Sequence, residues 1–436
     1  VQAYGVSAYC TVTINKHVIY SSTETVLGVL VLCFRVEPLH LPKFLFRHMY
    51  LQARVKDTAS MENKIFTPYR VCPLGAHVDH QHGPVTGFAI NKGVSLEFDV
   101  TDSGEVNLIS KNYPGNTFFH VSDTPERELT WGDFARGAAI ALSRKYQLKR
   151  GIKGTVEGTL PVGGLSSSAA VIITYIHAFC IANHIHITKP EMISTAIWAE
   201  HNYIGVKVGK LDQSCEVYCK KNSLLYLDTK DDSTEIIPIN TAMPPFEIMT
   251  IFSGLERSLA GSLYNARVDE CKAAAYCLMA HSGMEYGKFQ DAVLRDVPLG
   301  IFKEYEDCLP ENWRKRAGHF YAEKGRVRDG VTAWRSGNLQ KFGQLIFESG
   351  RSSIENYETG SRELIVLHEI MESTSGIYGG RFSGAGFNGS SIALIDPQHK
   401  EDIAGNVLER YLKVFPNLKN KVSVHFCTTA DGVSLS

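Results

Sequence analysis

The segment Leu160-Pro-Val-Gly-Gly-Leu-Ser-Ser-Ser-Ala-Ala170 limits the fold of this chain more than any other stretch. Gly154–Leu160, ahead of it, reads as a short strand. Ser166–Ala182, after it, is apolar nearly all round, which predicts a buried helix. A glycine-rich turn from strand into helix lets the backbone approach a ligand closely. The free N–H groups and positive dipole end of that helix suit an anion, phosphate above all. A helix cap needs one hydroxyl; three serines in a row exceed that requirement. Gly163, Gly164, Leu165, Ser166, Ser167 and Ser168 are therefore the candidate phosphate-binding residues. No G-x-x-x-x-G-K-[ST] occurs, so this is not a Walker A loop, and Gly205-Val-Lys-Val-Gly209-Lys210-Leu211 has the wrong spacing for one.

The rest of the chain reads as interleaved strands and helices, which places it in the α/β or α+β class with two lobes. Strands are predicted over 85–100, 105–110 and 223–228, and helices over 131–142 and 190–203. A polar stretch, 229–233, and the Pro244-Pro245 pair place a domain boundary near residue 240. Beyond it, strands are predicted at 246–252, 391–396 and 422–427, with helices at 264–281, 326–336 and 339–349. Gly384-Ala-Gly386-Phe-Asn-Gly389 fits G-x-G-x-x-G, but a strand-like S-S-I-A-L-I-D comes after it where a dinucleotide fingerprint needs a helix. It reads instead as a tight glycine turn, or as a second glycine loop closing over phosphates or substrate.

Composition narrows the function. With 436 residues the chain has room for about two or three domains. Its formal net charge of -1 gives no basic surplus for nucleic acid or an anionic membrane. The ten cysteines are scattered without a C-x-x-C pair, as expected of reduced thiols in a cytoplasmic protein. Val26–Phe34 is too short an apolar run to span a bilayer, which takes about 20 residues. Residues 1–60 differ in character from the rest of the chain, and Met61 precedes a first strand; they are expected to be an N-terminal extension outside the functional fold, with a helix and strand packed on it as the alternative.

Three ordered segments carry a resemblance: Tyr69-Arg-Val-Cys-Pro-Leu-Gly-Ala-His-Val-Asp-His80, the 161–170 loop, and Gly380-Arg-Phe-Ser-Gly-Ala-Gly-Phe-Asn-Gly389. Together they resemble the signature motifs of the GHMP kinase superfamily, in its galactokinase branch. Ala199-Glu-His201, Gly209-Lys-Leu-Asp-Gln213, Trp131 with Gly137, and Ser258–Tyr264 agree with that branch. The resemblance implies an α+β fold of two lobes. The N-terminal lobe, 61–240, would carry a left-handed βαβ unit, the C-terminal lobe would cover 241–436, and the active site would lie between them. It also implies ATP and Mg²⁺, a small sugar or sugar acid as partner, and no nucleic acid or membrane; a monomer is favoured.

The resemblance assigns roles residue by residue. Asp212 matches the catalytic aspartate, a carboxylate able to take the proton of the attacking hydroxyl. Arg70 matches the arginine beside it, which would keep that carboxylate ionised and stabilise charge on the transferring group. Ser168 and Glu200 match the magnesium ligands, hard oxygen donors of the kind Mg²⁺ takes. His77, Asp79, Gly209 and Tyr264 match sugar-contacting positions, and Gly384 joins them from the second glycine loop.

Ala76 departs from the branch. Galactokinases carry Glu there, against the sugar's C6 hydroxyl. A substrate carboxylate at C6 would meet that Glu as a like charge, at a cost of about 4 kcal/mol for a separation of ~4 Å and an effective dielectric near 20. Alanine removes the repulsion and makes room. His77, or a base such as Arg257, could then pair with the acid. The longer patterns N-Y-x-G-x-x-x-G-x-L-D-Q-S and S-S-I-E-N-Y-E are similar to plant-type galacturonokinases. The expected activity is therefore phosphorylation of galacturonate at C1, with a galactokinase as the alternative and a non-catalytic sugar and ATP sensor as a lesser one.

Overall fold

One strand, β2 (Pro84–Thr101), holds the first sheet together. Its 18 residues are long enough to pair with several partners along their length. It runs antiparallel to β1 (Asn63–Val71) and β5 (Gly151–Gly158), and at its start to β6 (Ser223–Asp228). With β3 (Glu105–Ser110), β4 (Asn116–His120) and β7 (Ser233–Pro238), the order is β4-β3-β5-β2-β6-β7, and β1 and β12 (Thr429–Ala430) also pair with β2. β3 and β5 pair in parallel, and β4 and α1 (Asp133–Ser143) intervene between them in the chain. The computed structural model describes residues 61–123, 126–161, 163–255 and 262–434. The expectations for residues 1–60, including the 26–34 run, lie outside the described residues, as does Arg257.

The predicted buried helix is α2 (Ser167–Ala182). Ala170, Ile172, Ile173, Ile176 and Phe179 along it are inaccessible to solvent, and they join a core with Phe88, Leu96 and Phe98 of β2. Helix α3 (Lys189–Trp198) starts where Thr188 caps the Glu191 N–H and Pro190 occupies the first turn, a proline position that costs no hydrogen bond. The expected helix to Tyr203 ends at Trp198. Ala199–Ile204 continues with a wider π-type winding that stops at Gly205, whose φ is 83°. Such single wide turns recur at functional sites. Helix α4 (Leu211–Tyr218) comes next, an element the sequence pattern did not separate.

The second sheet contains β8 (Glu247–Phe252), β9 (Ile377–Phe382), β10 (Ser390–Ile395) and β11 (Ser423–Cys427), ordered β11-β8-β10-β9 and all antiparallel. Around it lie α5 (Ser262–His281), α6 (Leu299–Tyr305), α7 (Glu311–Arg335), α8 (Leu339–Glu355), α9 (Arg362–Glu372) and α10 (Lys400–Val414). Helix α7 begins well before the predicted 326. Its buried face in that part carries Arg316, His319 and Glu323 among Ala317 and Phe320, so no apolar period marks it. The G-x-G-x-x-G segment is the turn of the β9–β10 hairpin, which agrees with the strand read after it.

The strands change sheet between Pro238 and Glu247. β12 returns the end of the chain to β2, and Met61–Ser436 forms one compact unit. Trp334 of α7, fully buried, packs on Phe88, Phe246 and Phe342 at ring separations of 5.3, 5.8 and 5.2 Å, and donates to the Ile237 carbonyl at 3.1 Å. Trp334→Ala is expected to cost about 3–5 kcal/mol, the range for truncating a large buried aromatic. Urea unfolding measures it, and a loss below about 1 kcal/mol contradicts this role.

Candidate active site

A shift in register between Pro68 and Arg70 interrupts β1 just before the site. Irregularities of this kind re-aim a side chain next to functional centres. Arg70, 4% exposed, donates from Nε to Asp212 Oδ1 at 2.7 Å, and from Nη1 to the Gly164 carbonyl at 3.0 Å and Ser383 Oγ at 3.3 Å. Its backbone N–H reaches the Leu165 carbonyl at 3.3 Å. Burial alone would lower the Arg70 pKa, but the Asp212 carboxylate outweighs it and holds the guanidinium above its ordinary value. Asp212 sits in the first turn of α4, where the helix dipole favours a negative charge, and its side chain is 22% exposed, open to a substrate.

The cavity in front of Asp212 is lined by Arg70, Ala76, His77, Asp79, Gly209, Tyr264, Arg381 and Gly384, among others. Every residue read as substrate-binding thus faces one space. Asp79 begins a short 3-10 turn and accepts from the Leu211 N–H at 3.3 Å. Gly209 is needed there, since a Cβ on it would stand 2.0 Å from Asp79 Oδ2. Burial, aided by the Asp212 charge, pushes the Asp79 pKa up to about 6. His77 adopts a left-handed φ of 58°, stacks on Tyr357 at 4.4 Å and is buried. Burial, then the Arg381 charge, holds its pKa well below the usual range, so the ring is neutral, and its Nε2 has no partner among the described residues.

The phosphate loop flanks this cavity. Gly163 and Gly164 pack against the β9–β10 turn: a Cβ on Gly384 would come within 2.9 Å of Gly164 Cα. The two glycine loops therefore touch backbone to backbone. Leu165 and Ser166 are buried, and Ser167 and Ser168 are half-buried at the start of α2. Glu200, 2% exposed, lies in the wide turn after α3 and accepts from Gln213 Nε2, next to Asp212 in sequence. Gln213 Oε1 is buried without a partner among the described residues. A buried carboxylate and a helix-start hydroxyl are donors that fit Mg²⁺. Among the described residues no three His, Cys, Asp or Glu side chains group as a metal cage.

The GHMP kinases N terminal domain family matches residues 133–220, the stretch that contains the phosphate loop, Glu200 and Asp212. The galacturonokinase of Arabidopsis thaliana is 38% identical over 380 residues, covering 82% of this chain and 89% of that protein. The galactokinase of Thermococcus kodakarensis is 30% identical over 355 residues, covering 81% and 95%. The chain belongs to the GHMP kinase superfamily, in its galactokinase branch. Among solved structures, Lactococcus lactis galactokinase complexed with galactose superposes with a TM-score of 0.79 at 24% identity, over 90% of this chain and all of that one. This GHMP kinase is a sugar kinase with the family's α+β fold of two sheets, and its family uses ATP as phosphoryl donor.

Several residues of the kinase's site carried no role in the sequence reading. Glu323, on the buried face of α7, accepts from the Gly75 and Ala76 N–H groups at 2.7 and 3.1 Å, from Ser349 Oγ at 2.7 Å and from Arg326 Nε at 2.6 Å. His319, one turn earlier, meets the Ala76 carbonyl at 2.9 Å. Both backbone groups of Ala76 are thus clamped. The signal was present: two polar residues four apart share a helix face with Phe320 and Val327. Trp131 is half-buried, and its Nε1 donates to the Pro114 carbonyl at 3.2 Å.

Asp79 yields a test. A carboxylate whose folded pKa lies above its unfolded one destabilises the fold while ionised. Raising it from 3.8 to about 6 costs about 3 kcal/mol at neutral pH. Asp79→Asn, which keeps an acceptor for Leu211, should therefore raise Tm at pH 8. The gain should shrink as pH falls through about 6 and vanish below about 4, where Asp79 is neutral in both states. Thermal melts across that range check it; a pH-independent difference contradicts the raised value.

Proposed function

We propose that this kinase transfers the γ-phosphoryl group of ATP to the anomeric hydroxyl of galacturonate, giving galacturonate 1-phosphate. The observation that carries the sugar-acid reading is Ala76. It lines the cavity with His77 and Asp79, at a backbone position clamped by Glu323 and His319. A larger side chain there would have to enter the cavity. The similarity to the Arabidopsis galacturonokinase supports the same reading.

In this reading the C1 hydroxyl lies against Asp212, which takes its proton as the oxygen attacks the γ-phosphorus and the β–γ bridging oxygen leaves with ADP. Arg70 keeps Asp212 ionised and offers positive charge to the phosphoryl group. Gly163–Ser168 and the first turn of α2 hold the phosphates. Asp79, Tyr264 and the Gly209 backbone orient the ring hydroxyls, and Asp79 rejects sugars that lack them. Ser168 and Glu200 would hold Mg²⁺, whose charge offsets that of the phosphates when bound. No helix among the described residues is long and apolar enough to cross a membrane; we place the enzyme in the cytoplasm, as a monomer.

Two substitutions test the roles. Asp212→Asn keeps an acceptor for Arg70 but removes the base, so kcat should fall by about 10²–10⁴-fold, the usual contribution of a positioned base, with nucleotide affinity retained. Unchanged turnover by a coupled ADP-release assay refutes the assignment. Ala76→Glu restores an acid in the cavity and should lower kcat/KM for galacturonate by roughly a thousandfold if the charges meet at ~4 Å, and far less for galactose. Wild-type protein that turns over galactose as well as or better than galacturonate would make it a galactokinase.

A further inference from the structure

Arg381 is out of balance with its surroundings. The described residues include the buried arginines Arg70, Arg136, Arg316 and Arg381. Arg70 has Asp212 within 4.0 Å, Arg136 has Asp133 and Glu128, and Arg316 has Glu270 and Glu358. Arg381, 2% exposed, has no carboxylate within that distance among the described residues. Its partners are neutral oxygens: Ser349 Oγ from Nη1 at 2.8 Å, Ser353 Oγ from Nη2 at 3.2 Å, and the Phe382 carbonyl from Nε at 3.0 Å. Those bonds use three of its N–H groups and leave one each on Nη1 and Nη2. The nearby acid, Glu323, is reached only through the shared Ser349 hydroxyl and is already paired with Arg326.

A guanidinium withdrawn from water without a counter-ion is costly, and proteins seldom retain one without a use. Burial accordingly lowers the Arg381 pKa, and the Glu323 charge across Ser349 opposes it only in part. Arg381 also lines the sugar cavity, with Ala76 and His77 on the same wall. Of the other cavity-lining bases, Arg70 is committed to Asp212 and His77 is neutral. Among the described lining residues, whose acids are Asp79 and Asp212, Arg381 is thus the charged base without a carboxylate within 4.0 Å, on the wall where residue 76 offers only a methyl.

We propose that Arg381 is the specificity-determining residue that binds the substrate's C6 carboxylate, so that the substrate supplies a counter-ion that the described residues do not. This rests on the galacturonate reading. The carboxylate would sit in the space in front of Ala76 and accept charge-assisted hydrogen bonds from the remaining Arg381 N–H groups. His77, whose buried Nε2 has no partner among the described residues, lines the same cavity and would offer a neutral second contact. Neutral sugars would leave Arg381 unmatched and bind less well.

The test compares kcat/KM for galacturonate and for galactose in the full chain, with thermal melting as the folding control. In Arg381→Gln the galacturonate-to-galactose ratio should fall at least tenfold, mainly through KM for galacturonate, with KM for ATP little changed. If that variant does not fold, Arg381→Lys, which keeps the charge but not the planar fork, should still lower the ratio several-fold. A ratio that stays at the wild-type value in a folded variant overturns the inference, as does an equal loss on both sugars. Wild-type protein that does not act on galacturonate would instead overturn the galacturonate reading, so the two failures are distinguishable.

Discussion

The site depends on one buried ion pair. Arg70 and Asp212 lie 142 residues apart in sequence and meet at 2.7 Å. The same guanidinium also bonds to the first glycine loop through the Gly164 carbonyl and to the second through Ser383. A single planar group thus ties together Asp212, the first glycine loop and the β9–β10 turn. A lysine could not do so, because its three donors sit on one flexible point charge. A buried ion pair is weak as a stabilising device, but it defines geometry, since misplacing either partner strands a charge. That property suits a phosphoryl-transfer site, where positioning and charge provide most of the catalysis.

Behind this pair stands a second layer built from α7 and α8. Glu323 holds the Gly75 and Ala76 amides and, through burial offset by Arg326, His319 and Arg381, titrates at about 2. It is therefore ionised at any working pH and keeps its grip on those amides. Tyr357 stacks on His77 and bonds through its hydroxyl to His80 at 2.9 Å. These contacts hold a histidine in left-handed backbone geometry, which an isolated residue would avoid. The sugar wall is thus rigid because a buried polar helix face supports it.

The sequence revealed the parts whose chemistry is local. The Gly-Gly-Leu-Ser-Ser-Ser turn into an all-apolar helix can be read without a structure, because strand, turn and helix are contiguous and each has its own period. Asp212, Arg70 and Glu200 had no such signal, and only motif resemblance gave them meaning. The first half of α7 escaped because Arg316, His319 and Glu323 occupy positions where a core helix normally shows Leu or Ile. β9 escaped because I-Y-G-G-R-F does not alternate. Burial of polar groups is a three-dimensional fact: whether Glu323 meets amides or solvent depends on residues 75 and 76, far away in the chain. Arg381 stood in plain view inside a signature motif, yet its significance lies in the lack of a carboxylate around it among the described residues, which sequence cannot express.

Selectivity by subtraction is the consequence of that imbalance. A neutral-sugar site with Glu at position 76 would place a negative charge in the same cavity as Arg381, and the two would offset each other. Removing the acid without removing the arginine leaves a cavity that is complete only when the ligand is an anion. Arg381 lies near the end of β9 and Ser383 directly follows the strand, two residues on. Ser383 bonds to Arg70, the partner of Asp212, and Arg381 lines the same cavity; in the proposed pose Arg70 would meet the phosphoryl group and Arg381 the far end of the sugar. One strand end thus sets the separation between the two anionic ends of the substrate pair. That separation is a property of the backbone, so specificity can change at position 76 without disturbing the chemistry at Asp212.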